Sequence, residues 1–283
     1  NEKSSESFVR YCDKAIRHLG ENIAYAITLN EPNLLYLLEW AHLPPFIIEK
    51  QRIMLAAAAQ KLNVESFSSG NAMNFEDLDK AQVNLLKAHR AAFTAIKSVR
   101  PNLPVGVSIA MTDDQAVGEN SIIDKKRERL YGPWMETAKQ DDFFGVQNYE
   151  RALVGEKGDL PAPEDAIKGL TGGEIYPPSL AGAVRYAHEV TQKPILITEH
   201  GVGTEDDTIR AWLIPNALRE LKTVMDQGVP VLGYLHWTLL DNFEWIFGYG
   251  PKFGLHSVNR ETFERTPKPS AKLYGNIAKR NAL

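Results

Sequence analysis

Cysteine is almost absent from this chain of 283 residues, which contains only Cys12. A single cysteine excludes an internal disulfide and favours a reducing compartment such as the cytoplasm. Cys12 lies at an apolar position of a predicted helix. We therefore interpret it as a core residue and not as a nucleophile.

Long apolar runs and a strong charge of either sign are missing as well. No stretch approaches the roughly 20 consecutive apolar residues of a membrane span. The formal net charge is −4 and the sequence pI is near 6.0, so charge favours neither nucleic acid nor an anionic membrane as a partner. No Cys/His cluster has metal-ligand spacing, and no glycine-rich phosphate loop follows a predicted strand. We expect a neutral small-molecule substrate, no metal and no cofactor.

Five apolar runs that end in turn signals predict β-strands, with helical patterns between them. The predicted strands are 23–29, 105–110, 143–146, 195–198 and 229–235, and the helices include 85–99 and 215–225. The segments 67–79 and 152–180 are rich in polar residues and glycine and predict surface loops. This alternation predicts an α/β fold.

Two glutamates stand at the ends of apolar runs far apart in the sequence. Glu31 follows the run ITLN at 27–30, and Glu199 follows the run ILIT at 195–198. A pair of carboxylates on separate strand ends is the equipment that cleaves a glycosidic bond. A (β/α) barrel would bring the two together, because it gathers the ends of many strands at one face.

Three motifs carry a resemblance to a known family: TLNEP at 28–32, ITEHG at 197–201 and WTLLDNFEW at 237–245. In order and spacing they resemble the signature of glycoside hydrolase family 1, the retaining β-glycosidases. The resemblance implies a (β/α)8 TIM barrel in which residues 1–283 form one catalytic domain. The segment 6–20 resembles the third helix of the family and 22–30 its fourth strand. The chain would thus supply about the last five β/α units and lack the first three strands, so an additional polypeptide is expected to complete the barrel.

The resemblance also implies catalytic roles. Glu199 corresponds to the nucleophile and Glu31 to the acid/base, and the negative charge of Glu199 would raise the pKa of Glu31. Asn30 corresponds to the residue that hydrogen-bonds the sugar 2-hydroxyl. Alternatively, each glutamate is a salt-bridged residue at a strand end, and Asn30 closes an Asx turn before Pro32.

Further residues match positions of the family that contact the sugar or the nucleophile. Tyr149 corresponds to the tyrosine that donates a hydrogen bond to the nucleophile, and Gln147 stands where asparagine is usual. Trp237 corresponds to an apolar wall behind the sugar, although it could equally be a core residue, as could Tyr149. The family's Glu-Trp pair, which binds the 4- and 6-hydroxyls, falls on Glu244 and Trp245, and Phe253 is expected to line the same pocket.

Two departures from the family pattern lie beside these positions. His200 replaces the usual asparagine after the nucleophile, and a role as a hydrogen-bonding residue at the strand end is at least as plausible as a catalytic one. Gly173 stands where the family usually has a tryptophan under the leaving group. The loss of that tryptophan predicts an open leaving-group side.

The resulting expectation is a retaining exo-β-glycosidase that hydrolyses a terminal β-linked neutral hexose by double displacement. β-Glucosidase is the leading activity, ahead of β-galactosidase and β-fucosidase. Because Glu244 would repel a phosphate dianion, a phosphorylated sugar is disfavoured. The alternative is an incomplete or non-catalytic member of the family that binds sugar or a complementing polypeptide.

Overall fold

The computed structural model describes residues 3–69, 72–169 and 172–283, which alternate between helices and strands. The elements, in chain order, are α1 (Ser4–Leu19), β1 (Ala26–Asn30), α2 (Leu34–Trp40), α3 (Pro45–Leu62), α4 (Leu78–Val99), β2 (Val105–Ala110), β3 (Asp113–Ala116), α5 (Ile123–Leu130), α6 (Gly132–Ala138), β4 (Phe143–Asn148), β5 (Arg151–Gly155), β6 (Gly158–Leu160), α7 (Ser179–Thr191), β7 (Ile195–His200), α8 (Asp207–Asp226), β8 (Val231–Tyr234), β9 (His256–Val258), β10 (Arg265–Pro267) and α9 (Pro269–Arg280). They divide into two units: the first is Asn1–Ala110 with Lys125–Phe144, and the second is Met111–Asp124 with Gly145–Leu283.

The first unit is built on the strand order β1-β2-β4, to which β4 contributes its first residues. β1 and β2 are parallel, with Ala26 opposite Val105 and Asn30 opposite Ser108. β2 is buried along its whole length, which matches a sequence in which Ser108 is the one polar side chain. Helices α1 and α4 pack together, and Cys12 lies 7% exposed in the core between them. The interpretation of Cys12 as a core residue is confirmed, and burial raises the pKa of its thiol.

The second unit holds the rest of β4 in the order β4-β7-β8. β7 and β8 are parallel, with Ile195 opposite Val231, and helices α7, α8 and α9 pack in sequence order. A smaller sheet has the order β3-β5-β6, and β9 pairs with β10 as an antiparallel hairpin.

The predicted strands are confirmed as β1, β2, β4, β7 and β8, with shifts at their ends. β4 and β7 each continue two residues further than predicted, to Asn148 and His200, and β1 begins only at Ala26. The predicted helices lie within α4 and α8. Within the described residues, no helix combines the length and the apolar character that crossing a membrane requires.

The prediction of a loop over 152–180 was wrong in part. β5 and β6 lie in this segment, because the backbone of β5 pairs with β3 on one side and with β6 on the other. The sequence of β3, Asp-Asp-Gln-Ala, lacks the apolar alternation that would have indicated a strand. In the segment 67–79, a short 3-10 turn precedes α4, which begins at Leu78. Residues 70–71 and 170–171 of these two segments lie outside the described residues.

Candidate active site

Glu199 stands near the carboxyl end of β7, after three buried residues of the same strand. Its side chain is partly buried, and its Oε2 accepts a hydrogen bond of 2.5 Å from the hydroxyl of Tyr149. The pKa of Glu199 lies above its usual value, because burial raises it and the charge of Glu244 raises it further, while the Tyr149 hydrogen bond lowers it. Tyr149 therefore favours the charged carboxylate against two effects that favour the protonated form.

An aromatic contact orients Tyr149. Its ring meets Phe253 edge to face, with ring centroids 6.1 Å apart. Phe253 is 8% exposed, and Gly203 leaves the room that its ring needs, since a Cβ at Gly203 would lie 2.8 Å from Phe253 Cε2. The second unit thus brings together Tyr149, Glu199 and Phe253, three of the residues predicted from the sequence.

Trp237 follows β8 and is tied to the end of β7. Its backbone N–H donates to the carbonyl of His200 at 2.9 Å. A Cβ at Gly201 would lie 2.1 Å from the carbonyl oxygen of Trp237, so only glycine fits between the two strand ends. Trp237 is partly buried, and its peptide bond to Thr238 is cis.

Glu244 and Trp245 lie on the loop after β8. Glu244 Oε2 accepts a hydrogen bond from Asn242 Nδ2 at 3.0 Å, whereas the Trp245 side chain is 70% exposed. The loop is fixed by Asp241, whose Oδ1 accepts from Gly254 N at 2.8 Å and from Lys268 Nζ at 2.9 Å. The carboxylate of Glu244 thus has a hydrogen-bond donor on its own loop, and the next residue, Trp245, is exposed.

His200 is buried and belongs to a polar cluster with Tyr234 and His236, which are partly buried. Its Nδ1 lies 2.7 Å from the hydroxyl of Tyr234, which lies 3.1 Å from His236 Nδ1. The Tyr274 hydroxyl donates to the carbonyl of Tyr234 at 3.2 Å. Burial lowers the pKa of His200 to about 3, and burial together with His200 and Arg210 lowers the pKa of His236 to about 3. Both rings are neutral at neutral pH, which agrees with the interpretation of His200 as a hydrogen-bonding residue at the strand end.

Asn30 and Glu31 lie in the first unit, at the carboxyl end of β1. Asn30 is exposed, and Glu31 is partly buried with a backbone φ of 48°. This left-handed conformation is uncommon for a residue with a side chain and costs on the order of 1–3 kcal/mol. It is held by hydrogen bonds from Glu31 N to Ser108 O at 2.9 Å and from Leu34 N to Glu31 O at 3.0 Å.

Gln147 is fully buried within β4, and its backbone carbonyl accepts a hydrogen bond from Met111 N at 2.8 Å. A role for Gln147 in sugar binding stays a prediction. In the described ranges 3–69, 72–169 and 172–283 there is no group of three or more His, Cys, Asp or Glu side chains that could hold a metal ion.

Sequence reasoning missed several polar residues that hold the site. These residues lie within or beside the recognised motifs, and each makes a hydrogen bond to the backbone or to another side chain. They are Asn33, Tyr234, Asp241 and Asn242. The available signal for Asn33 was a polar residue directly before an apolar run, LLYLL.

Comparison with known proteins decides the family. The profile of Glycosyl hydrolase family 1 matches residues 135–283, just over half of the chain. The chain belongs to this family. An apo structure of a beta-glucosidase 1317 is 39% identical, with a TM-score of 0.92 and coverage of 100% of this chain and 69% of that one. The β-glucosidases of this family are TIM barrels, and the strands and helices of this chain form part of that (β/α)8 fold.

Two curated relatives come from Arabidopsis thaliana. Galactolipid galactosyltransferase SFR2 is 39% identical over 142 residues, which cover 49% of this chain and 23% of the relative. Beta-glucosidase 47 is 27% identical over 333 residues, which cover 98% of this chain and 60% of the relative. The chain therefore spans less than two thirds of the length of either relative.

Proposed function

We propose that the complete protein is a retaining exo-β-glycosidase that hydrolyses a terminal β-linked neutral hexose, with β-glucosidase as the leading activity. The observation that carries the proposal is the 2.5 Å hydrogen bond from Tyr149 to Glu199. It favours an ionised, partly buried carboxylate at a strand end, as a nucleophile requires. Membership of a family whose relatives include β-glucosidases supports the same activity.

The mechanism uses two glutamates in two steps. In the first, Glu199 attacks the anomeric carbon to form a glycosyl ester, while Glu31 gives its proton to the leaving oxygen. In the second, Glu31 takes a proton from water as the water attacks the same carbon, and the bond to Glu199 breaks. Each step inverts the anomeric configuration, so the product retains the β configuration.

The remaining predicted residues would bind the sugar. In this proposal Asn30 and Gln147 contact hydroxyls and Trp237 forms the wall behind the ring. Glu244 and Trp245 hold the hydroxyls at the non-reducing end, as an exo-acting enzyme requires. Phe253 supports Tyr149 through the edge-to-face contact.

The experiment that tests the proposal is trapping of the covalent intermediate. A 2-deoxy-2-fluoro-β-glucoside with a good leaving group should form a stable ester, and peptide mass spectrometry should find it on Glu199. Proton NMR of the first-formed product from an ordinary aryl β-glucoside should show the β-anomer. An α-anomer at early time, or an ester on another residue, would overturn the assignment.

The neutral charge of the sugar is a separate part of the proposal. A 6-phosphate beside Glu244 would bring a dianion close to a carboxylate, which is repulsive at short range. Aryl β-glucoside should therefore be hydrolysed faster than aryl 6-phospho-β-glucoside. Faster hydrolysis of the phosphorylated compound would refute the preference.

Transfer to an alcohol is a second candidate function. The Arabidopsis relative that is 39% identical over 142 residues is named a galactosyltransferase. The glycosyl ester can react with a sugar hydroxyl instead of water, with the same Glu31 acting as base. Chromatography of products formed with added galactose or galactolipid would distinguish transfer from hydrolysis.

We also propose that additional polypeptide completes the barrel. Ile27 on β1 is 39% exposed, and Leu235 directly after β8 is 51% exposed. In the described ranges β1 has a strand partner on one side only, as has β8, and such edges favour aggregation. Expressed alone, these 283 residues should aggregate or be inactive in sedimentation and aryl-glucosidase assays. A monodisperse, active monomer of these residues alone would contradict the proposal. If the completed barrel binds sugar without turnover, the result would favour the non-catalytic alternative.

A further inference from the structure

Asn33 is a fully buried polar residue in the first unit that the proposed mechanism does not use. Its side-chain amide pairs with the backbone of Ala110 at the end of β2. Nδ2 donates to Ala110 O at 2.8 Å, and Ala110 N donates to Oδ1 at 3.0 Å. Nδ2 also donates to Leu130 O, at the end of α5, at 3.3 Å. The side-chain amide of Asn33 thus makes hydrogen bonds with three backbone groups, as donor to two and as acceptor from one.

This amide continues the pairing of β1 with β2 beyond the point where the backbone of β1 ends it. Asn30 is opposite Ser108, and Glu31 N donates to Ser108 O at 2.9 Å. At Glu31 the chain then turns away in the left-handed conformation, with φ 48°. Two residues later, Asn33 supplies a donor and an acceptor to Ala110, as a strand residue would. The turn that carries Glu31 is therefore anchored to β2 on both sides.

We propose that Asn33 is a positioning residue for Glu31, whose role as acid/base rests on the proposed function above. A general acid must lie within hydrogen-bond reach of the oxygen that it protonates, and a small displacement lowers the rate strongly. A left-handed backbone at a residue with a side chain persists only where its surroundings hold it. The Asn33 amide supplies that restraint on the C-terminal side of Glu31, directly before α2 begins.

The side chain must be an amide of this length. Asn33→Asp keeps the shape and the acceptor for Ala110 N, but it brings a carboxylate oxygen against the carbonyls of Ala110 and Leu130. Asn33→Ala leaves buried backbone groups of Ala110 without their partner. Asn33→Asp keeps the acceptor and adds a buried charge, whereas Asn33→Ala removes donor and acceptor. If one variant fails to fold, the other carries the test.

The test measures kcat/KM of the complete enzyme on aryl β-glucosides with graded leaving groups. A leaving group of low pKa needs little protonation, so Asn33→Asp should change its kcat/KM by less than about twofold. A leaving group of high pKa needs the acid, and its kcat/KM should fall roughly 10- to 100-fold. Ile96→Val is the control: it loosens the core of the same unit and should leave the ratio between the two substrates unchanged.

Failure of this inference is distinguishable from failure of the proposed function. If Glu31→Ala shows the dependence on the leaving group and Asn33→Asp does not, Asn33 is not a positioning residue and the function stands. If Glu31→Ala shows no such dependence, the proposed function itself is overturned. An equal fall on all substrates in Asn33→Asp would indicate a purely structural role.

Hydrogen exchange supplies a readout that does not depend on turnover. In the full protein, the peptide that contains Ala110 should lose protection at least tenfold in Asn33→Ala, because Ala110 N loses its acceptor, Asn33 Oδ1. Asn33→Asp keeps an acceptor there and should lose less protection. Unchanged protection in Asn33→Ala would overturn the proposal.

Discussion

The two carboxylates proposed for catalysis differ in the hydrogen bonds that hold them. Glu31 in the first unit is fixed through its backbone, by a left-handed turn and by hydrogen bonds of its own N–H and C=O. Glu199 in the second unit sits in a regular strand and is fixed through its side chain, by the hydroxyl of Tyr149.

The difference matches what each group has to do. A general acid must lie within reach of the oxygen that it protonates, so a backbone that fixes where its carboxyl lies helps it. A nucleophile must stay ionised until it attacks, so a donor that favours the charged form helps it. The turn at Glu31 fixes the position of that residue, whereas the hydrogen bond from Tyr149 favours the charged form of Glu199.

Removal of each carboxylate should give the largest effects and break the comparison most directly. Glu199→Ala should lower kcat/KM by more than about 10⁴-fold on every substrate, because no glycosyl ester can form. Glu31→Ala should lower it by roughly 10²–10⁴-fold on poor leaving groups and far less on good ones. Steady-state kinetics on both substrates measures this, with the exposed Glu189→Ala as control. Equal losses in the two variants would show that the carboxylates do not divide the work.

Tyr149→Phe should sharpen the comparison with a smaller effect. Its hydroxyl lowers the pKa of Glu199 against the effects of burial and of Glu244, so its loss raises that pKa. The acidic limb of the kcat/KM profile should move to higher pH, and the rate near neutrality should fall about 10- to 100-fold, as expected for a hydrogen bond to a charged group. Tyr11→Phe, at an exposed position, serves as control. An acidic limb at unchanged pH would show that Glu199 does not set it.

Sequence reasoning reached the parts of the molecule in which local pattern and structure agree. β2 was predicted with its observed bounds because its sequence, VGVSIA, is mainly apolar and β-branched. β3 and β5 were missed because they form through backbone pairing that their side chains do not signal. Asn33 was missed for a related reason: its partners, Ala110 and Leu130, are 77 and 97 positions away in the sequence, and only the folded chain brings them within reach.

The buried histidines extend the comparison to stability. In the first unit His89 Nδ1 lies 2.6 Å from Thr28 Oγ1, and Arg90 hydrogen-bonds Nε2 and pairs with Asp141. In the second unit, His200 lies 2.7 Å from the hydroxyl of Tyr234. Burial, with Arg90 in the first case, lowers the pKa of His89 and that of His200 to about 3.

Such a histidine makes the folded state sensitive to acid. Between its folded pKa of about 3 and an unfolded pKa of about 6.5, the unfolded chain binds a proton that the folded chain does not. The free energy of unfolding therefore falls as pH falls through this window, by up to about 1.4 kcal/mol per pH unit for each histidine. His200→Asn should reduce that slope by one proton in urea unfolding at pH 4–7, while the exposed His18→Asn should not. An unchanged slope would mean that His200 is protonated in the folded state.

The smallest effect concerns Gly173, where the sequence predicted an open leaving-group side. A Cβ at Gly173 would lie 1.9 Å from Glu150 Oε2, so the carboxylate of Glu150 takes the space that a larger residue would need. Because this is the end of a flexible side chain, Gly173→Trp should cost about 1 kcal/mol, or roughly 2–4 °C in Tm. Combining it with Glu150→Ala should recover most of the loss. Gly275→Trp is the control, since the space around a Cβ there is open within 4 Å, and it should show no coupling to Glu150→Ala.

In the Gly173→Trp/Glu150→Ala variant, KM for flat aryl aglycones should fall relative to alkyl ones if residue 173 faces the leaving group. Equal KM values for all aglycones would place Gly173 outside the substrate site, and additive Tm losses would show that Glu150 does not restrict it.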